Sequence, residues 1–182
     1  MCNEWVERIS DGMQDVSSIL LAHADRNYRT SRTVTDLEDL LSRAIDASET
    51  ELKEWGIETS IDVSSTENVR LPKNVMVPVL SNLVKNAAQV MFNHFTFKPT
   101  INLRVRRLNP QLLTIEVEDN GPGVPESQRE RIFERGLTTK LKGQGVGLAF
   151  CKQAITEIGG RIEVDSPAEH MGTIFRVTIP VS

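Results

Sequence analysis

Several groups of residues in this chain have the types and spacing to do chemistry. Asn82 and Asn86 lie four apart in SNLVKNAAQV, so a helix sets them on one face. Val79, Leu83 and Val90 supply the neighbouring apolar face. Amide oxygens at such an edge suit a hard cation such as Mg²⁺, which takes oxygen ligands and keeps waters. A pair of surface or capping amides has the same pattern. Asp119 ends the alternating run LLTIEVED and meets Asn120-Gly121-Pro122-Gly123, a turn tight enough to need glycine. Its carboxylate is thereby held at the rim of a sheet, where it can accept a hydrogen bond. Further on come Phe133, Thr138, Thr139 and Lys140, then Gly143, Gly145 and Gly147, and finally Gly172-Thr173 at the start of a last strand.

The alternate glycines precede a helix. Bare backbone there lets an anion approach closely, and a helix N-terminus offers free N–H groups and a partial positive charge. A phosphate is the natural guest, and a flexible turn is the plain alternative. The spacing is not the dinucleotide fingerprint and lacks the glycine-lysine-serine/threonine ending of a P-loop, which disfavours the usual nucleotide folds. Charge favours the phosphate. Between Glu126 and Lys152 stand six basic residues (Arg129, Arg131, Arg135, Lys140, Lys142, Lys152) and three acids, whereas 36–62 carries nine acids and two bases.

These groups need a scaffold. At 182 residues and 20.4 kDa the chain makes one ordinary domain with a short appendage. Hydrophobic residues at 39% and charged residues at 25% are a soluble globular balance. No uninterrupted apolar run reaches the ~20 residues of a membrane helix, MCNEWVERIS is no signal peptide, and two cysteines point to a reducing cytoplasm. A net charge of −4 argues against broad nucleic-acid binding.

Helical spacing runs through 37–55 (Leu37, Leu40, Leu41, Ala44, Ile45, Leu52, Trp55), with Thr35 and Glu38 read as a capping box and Gly56 as the stop. A strand follows at 57–63 and a polar loop at 64–70. A second helix covers 73–92, starting or kinking at Pro78. Strands at 100–108 and 112–119 are joined by Asn109-Pro110-Gln111, a third helix covers 146–158, and 161–165 with 173–180 reads as a closing hairpin. Hairpin-joined strands interspersed with helices favour an α+β layer of helices on one mostly antiparallel face. At the N-terminus, Val6, Ile9, Met13, Val16 and Leu20 form a stripe that suits either a helix packed on its own domain or a partner-seeking helix in a dimer.

In this order and at these separations the segments resemble the ATP-binding domain of sensor histidine kinases. SNLVKNA is similar to the family's N box, DNGPGV to its G1 box, IFERGLTTK to its F box and GQGVGL to its G2 box. The wider superfamily takes in type II topoisomerases, mismatch-repair ATPases and the ninety-kilodalton heat-shock chaperones. The resemblance covers about residues 34 to 181, and the TTK ending is most like kinases of the nitrogen-regulation and dicarboxylate-sensor type. It implies a Bergerat fold: a two-layer α+β sandwich of a mixed, mostly antiparallel sheet with three helices on one face, here with an N-terminal helix. Residues 34–182 would be the ATP-binding domain, and 1–33 the second helix of a dimerisation hairpin with its connector.

What the resemblance implies for the site can be set residue by residue. Asn86 matches the Mg²⁺ ligand, and Asn82, Asn86 and Lys140 form the catalytic group, with Lys140 placed to meet a β- or γ-phosphate. Asp119 matches the carboxylate that accepts from the adenine amino group; guanine presents a carbonyl there, leaving a buried acceptor unpaired at a cost of about 1–3 kcal/mol. Gly121 and Gly123 let the base lie against backbone, and Thr173 helps bind adenine. Thr138, Thr139, Gly143, Gly145, Gly147 and Leu148 complete the nucleotide-binding set, with 126–145 as a mobile lid.

Some positions depart from the pattern. Asn82 stands where ATP-hydrolysing relatives carry glutamate, and an amide accepts no proton at neutral pH. That favours phosphoryl transfer to a protein side chain over fast hydrolysis. Gln89 replaces a basic residue, and Gly136 replaces the second aromatic of the F box. None of His23, His94 and His170 has the acidic residue and proline that follow the family's acceptor histidine. The expectation is therefore the catalytic part of a cytoplasmic kinase segment, without membrane or nucleic-acid contact of its own, cut from a longer sensor whose membrane anchoring is left open. Its partners are an acceptor-histidine helix outside this chain, a response regulator receiver domain and a second copy in the intact protein. The alternatives are a nucleotide-responsive interaction module with little kinase activity and an anti-sigma-type serine kinase.

Overall fold

A computed structural model describes residues 31–64, 68–134, 147–167 and 172–181. The stripe at 6–20, His23, His170 and the whole of 135–146 lie outside the described residues.

The chain enters through β1 (Thr33–Thr35), then α1 (Leu37–Asp46), α2 (Glu49–Glu54) and β2 (Glu58–Val63). After β3 (Val69–Leu71) comes the long α3 (Lys73–Asn93), followed by β4 (Thr100–Asn109) and β5 (Leu112–Asp119). Two short 3₁₀ turns, Glu126–Gln128 and Arg131–Phe133, precede α4 (Gly147–Glu157), β6 (Arg161–Asp165) and β7 (Thr173–Pro180). The main sheet has the order β2-β4-β5-β7-β6; β2 runs parallel to β4 and every other pairing is antiparallel. β1 and β3 form a separate antiparallel pair.

Period-two alternation makes the sheet two-faced. Ile101, Leu103 and Val105 on β4, Leu113, Ile115 and Val117 on β5, and Phe175, Val177 and Ile179 on β7 turn to one side and are buried. α1, α3 and α4 cover that side, with Leu40, Leu41, Leu80, Leu83, Cys151 and Ile155 among their buried residues. The opposite face is charged and paired: Arg176 with Glu116 (2.8 Å), Arg106 with Asp62 (2.7 Å) and Arg104 with Glu118 (2.5 Å). The fold is α+β with a mixed, mostly antiparallel sheet and helices on one face, as the sequence predicts.

The differences lie in the N-terminal half. The expected single helix over 37–55 is two, because the chain turns at Ala47-Ser48. The apolar spacing runs on across the break because both pieces bury residues in the same core. Thr35 does not cap α1. It sits on β1 with its hydroxyl bonded to the Thr33 carbonyl, and Asp36 Oδ1 accepts instead from the N–H groups of Glu38 (2.8 Å) and Asp39 (3.2 Å). The expected loop at 64–70 contains the start of β3, whose partner β1 lies more than thirty residues away in sequence.

α3 starts at Lys73 and runs through Pro78. Among the described residues α3 alone is long and apolar enough to cross a bilayer. Here Val75, Met76, Val79, Leu80, Leu83, Val84, Ala87, Ala88 and Met91 are buried inside the domain.

Candidate functional site

α3 underlies the site. Asn82 and Asn86, one turn apart, are both half-buried. At its far end Met91 Cγ lies 3.1 Å from where a Cβ on Gly121 would stand. Asn82 Oδ1 faces the first turn of α4, 3.7 Å from the corresponding Cβ position of Gly147. One helix thus meets the glycine turn after β5 at one end and the glycine-led start of α4 at the other. Gly147 is exposed and Leu148 half-buried.

Asp119 is the last residue of β5 and only 5% exposed. Its Oδ1 accepts from Gly121 N–H at 2.8 Å. Directly across the β5–β7 ladder stands Thr173, also 5% exposed, whose backbone and hydroxyl bond to the same carboxylate. Burial pushes the Asp119 carboxyl up to about 6, against the pull of the hydrogen bonds from Gly121 and Thr173. A carboxylate that keeps a raised value despite several donors holds a poorly hydrated charge, ready for one more donor.

The glycines here are sterically required. A side chain at Gly121 would stand 2.8 Å from Asp119 Oδ1. Gly123 (φ +80°) and Gly172 (φ +141°) hold backbone conformations that side chains rarely adopt, and a Cβ at Gly172 would overlap the Asp119 carbonyl. Asn120 secures the other flank. Its Oδ1 accepts from Thr100 N–H (2.8 Å) and its Nδ2 donates to the Lys98 carbonyl (2.9 Å).

The described residues contain no cluster of three or more His, Cys, Asp and Glu side chains that would hold a metal by themselves. The two amides on α3 offer neutral oxygen donors, which fit a Mg²⁺ that keeps waters and takes its remaining ligands from a phosphate.

Among the residues expected in the site, Asp119, Gly121, Gly123 and Thr173 come together at the ends of β5 and β7. Asn82 comes to the start of α4 beside Gly147. Thr138, Thr139, Lys140, Gly143 and Gly145 lie outside the described residues. Two of the basic residues counted toward a phosphate have other uses. Lys152 Nζ sits 5.5 Å over the Phe133 ring, and Arg129 binds Asp165 Oδ1 (3.3 Å) and the Ser166 carbonyl (2.6 Å). Sequence reading missed Ser166, which bridges the Asp119 turn and Gly172; its partners are far apart in the chain, so no local pattern marks it. Among the described residues the only histidine is His94, at the C-terminus of α3, with Nδ1 2.9 Å from the Val90 carbonyl.

Residues 73–182, more than half of the chain, match the family described as histidine kinase-, DNA gyrase B-, and HSP90-like ATPase. The chain belongs to this ATPase family. Within it, the chain is an ATP-binding catalytic domain of the two-component sensor histidine kinase type. It is 34% identical over 147 residues to the sensory histidine kinase/phosphatase NtrB of Rhizobium leguminosarum bv. phaseoli, covering 72% of this chain and 38% of that protein. It superimposes on the nucleotide-free catalytic domain of histidine kinase ThkA with a TM-score of 0.71 and 26% identity, over 82% of this chain and 95% of that one. The same fold appears at a TM-score of 0.68 and 24% identity in ThkA in complex with the response regulator protein TrrA, covering 82% of this chain and 41% of that one. The chain spans 26% and 38% of the length of the first two curated relatives it matches.

Proposed function

We propose that this ATPase-family chain binds Mg²⁺-ATP and transfers the γ-phosphoryl group to a histidine outside this chain. The observation that carries the reading is Asp119. It is a nearly buried carboxylate at a strand end, hydrogen-bonded by Gly121 and facing Thr173, in the position where an exocyclic amino donor would complete its shell. A buried acceptor that selects a donor discriminates strongly, because the wrong base leaves it unpaired.

In this reading Asp119 and Thr173 orient the base, while Gly121 and Gly123 let it lie on the backbone. Asn86, with Asn82 one turn away, would hold Mg²⁺ through its amide oxygen beside the triphosphate. Mg²⁺, when bound, neutralises phosphate charge and fixes the phosphate geometry. Lys140 would meet a β- or γ-phosphate, Gly143, Gly145 and Gly147 would form the phosphate loop, Thr138, Thr139 and Leu148 would complete the nucleotide-binding set, and 126–145 would be the lid. Asn82 accepts no proton, so water in this site is not activated by it and transfer to a presented side chain is favoured. Catalysis then rests on positioning and charge neutralisation.

The partners that follow are an acceptor-histidine helix and a response regulator receiver domain, with a homodimer in the intact protein and a cytoplasmic location. Residues 1–33 are assigned to the dimerisation hairpin and 34–182 to the catalytic domain.

The test is calorimetric titration with Mg²⁺ and a non-hydrolysable ATP analogue. Asp119→Ala is expected to abolish measurable binding while the domain stays folded by circular dichroism. Unchanged affinity in the folded variant would refute the assignment.

A further inference from the structure

We propose that Ser166 and Arg129 are positioning residues for the base-reading end of this site, clasping the turn after Asp119 to the β6–β7 connection. The proposal rests on the nucleotide reading above and adds the parts that hold its geometry.

The problem they solve is where the sheet stops. Asp119 and Thr173 are the last opposed pair of the β5–β7 ladder. Beyond them the described chain continues through Gly121, Gly123 and Val124 on one side, and Gly172 precedes Thr173 on the other. Ladder pairing sets Asp119 opposite Thr173 and ends there, so the glycine turn on which the base would lie is held against Gly172 by side chains.

Ser166 Oγ does this from the β6 side. It donates to the Gly172 carbonyl at 2.6 Å and accepts from Val124 N–H at 3.1 Å. One hydroxyl therefore joins the residue before Thr173 to the turn after Asp119. Arg129 works from the first 3₁₀ turn. Its Nη2 donates to the Ser166 carbonyl (2.6 Å), its Nη1 to Asp165 Oδ1 (3.3 Å) and its Nε to the Val124 carbonyl (3.4 Å). The planar fork of arginine matches several acceptors at fixed angles, which a lysine would not.

Packing at this node is close enough that two glycines are needed. A Cβ at Gly123 would overlap Ser166 Oγ, and one at Gly172 would overlap the Asp119 carbonyl. Loosening the clasp frees the Asp119 turn and Gly172 to drift apart while leaving the core layers untouched. The cost then falls on recognition, since a site misplaced by about 1 Å loses much of its effect.

The experiment titrates the full 182-residue chain with Mg²⁺ and non-hydrolysable analogues of ATP and of GTP, with melting curves on the same samples. Ser166→Ala is expected to weaken ATP-analogue binding about tenfold, roughly the loss of one hydrogen bond's worth of geometry, and to narrow the ATP-over-GTP preference. Ser166→Thr, which keeps the hydroxyl, is expected to restore both. Should Ser166→Ala fail to fold, Arg129→Ala, whose side chain is 30% exposed, gives the same reading. A brace that matters only to stability would lower the melting temperature and leave affinity and base preference unchanged well below it; that result would overturn the clasp. Asp119→Ala, run alongside, separates the two failures. If it abolishes binding while the Ser166 and Arg129 variants bind normally, only the clasp is wrong; if it too binds normally, the nucleotide reading fails and the clasp with it.

Discussion

Asp119 faces opposite demands from folding and from binding. Burial disfavours its charged form, which raises its carboxyl from 3.8 to about 6. A carboxyl raised on folding contributes stability that is fully present below the unfolded value and is lost as pH rises through the folded one. The fold is thus stabilised by this group near pH 4 and has given that up by pH 7, an amount of at most about 3 kcal/mol. Asp119→Asn removes the buried charge and keeps an oxygen for Gly121 N–H. It is expected to melt at a higher temperature than the wild type at pH 7 to 8, with the gap closing as pH falls toward 4. A constant gap across that range would show that burial of charge is not the cause. Nucleotide affinity is expected to move the other way, falling in the wild type below about pH 6, because a protonated carboxyl is a poorer acceptor for an amino group. A pH series of melts and titrations on the same two proteins checks both.

Among the elements, α2 carries an unused polar group. Ser48 stands at its N-terminus, where serine is usually a cap, but its side chain makes no cap bond. The hydroxyl is buried and has no hydrogen-bond partner among the described residues. A buried unpaired hydroxyl costs about 1–3 kcal/mol. Ser48→Ala is therefore expected to stabilise the domain by about 1 kcal/mol in urea unfolding, with an unchanged m-value. Asp36→Ala, which deletes a working cap on α1, is expected to cost a similar amount. Destabilisation by Ser48→Ala would show that its hydroxyl caps α2, and no loss in Asp36→Ala would show that the α1 cap contributes nothing. The same region shows what sequence reading captures and what it misses. Strands β4 to β7 and helices α3 and α4 were legible because each carries its own periodicity of two or 3.6 over five residues or more. β1 and β3 have three residues each, and their pairing of Thr33 with Leu71 leaves no local trace. The break at Ser48 was hidden because both helices keep their apolar residues in phase with one core. In the site, Asp119 and the glycines could be read from one short segment. Ser166 and Arg129 could not, since their meaning comes from partners brought together only by the fold.

The whole molecule has a division of labour between its layers. One face of the sheet and three helices make the core, the other face is a lattice of half-exposed ion pairs, and the candidate site lies where α3 passes under the ends of β5 and β7. That arrangement can hold a nucleotide, but a kinase also needs an acceptor. His94 is a poor one. It sits at the C-terminus of α3 with Nδ1 2.9 Å from the Val90 carbonyl, so that nitrogen is directed back at its own helix. Incubated alone with Mg²⁺ and γ-labelled ATP, the chain is expected to retain little label and to hydrolyse slowly, because Asn82 is no general base. If the proposed function holds, adding a separate acceptor-histidine helix domain is expected to produce a labelled product that is lost in acid and survives alkali, the signature of phosphohistidine. His94→Gln is expected to leave that transfer unchanged. Label that survives acid would assign the activity to a hydroxyl acceptor instead, and label lost on replacing His94 would place the acceptor within the catalytic domain itself.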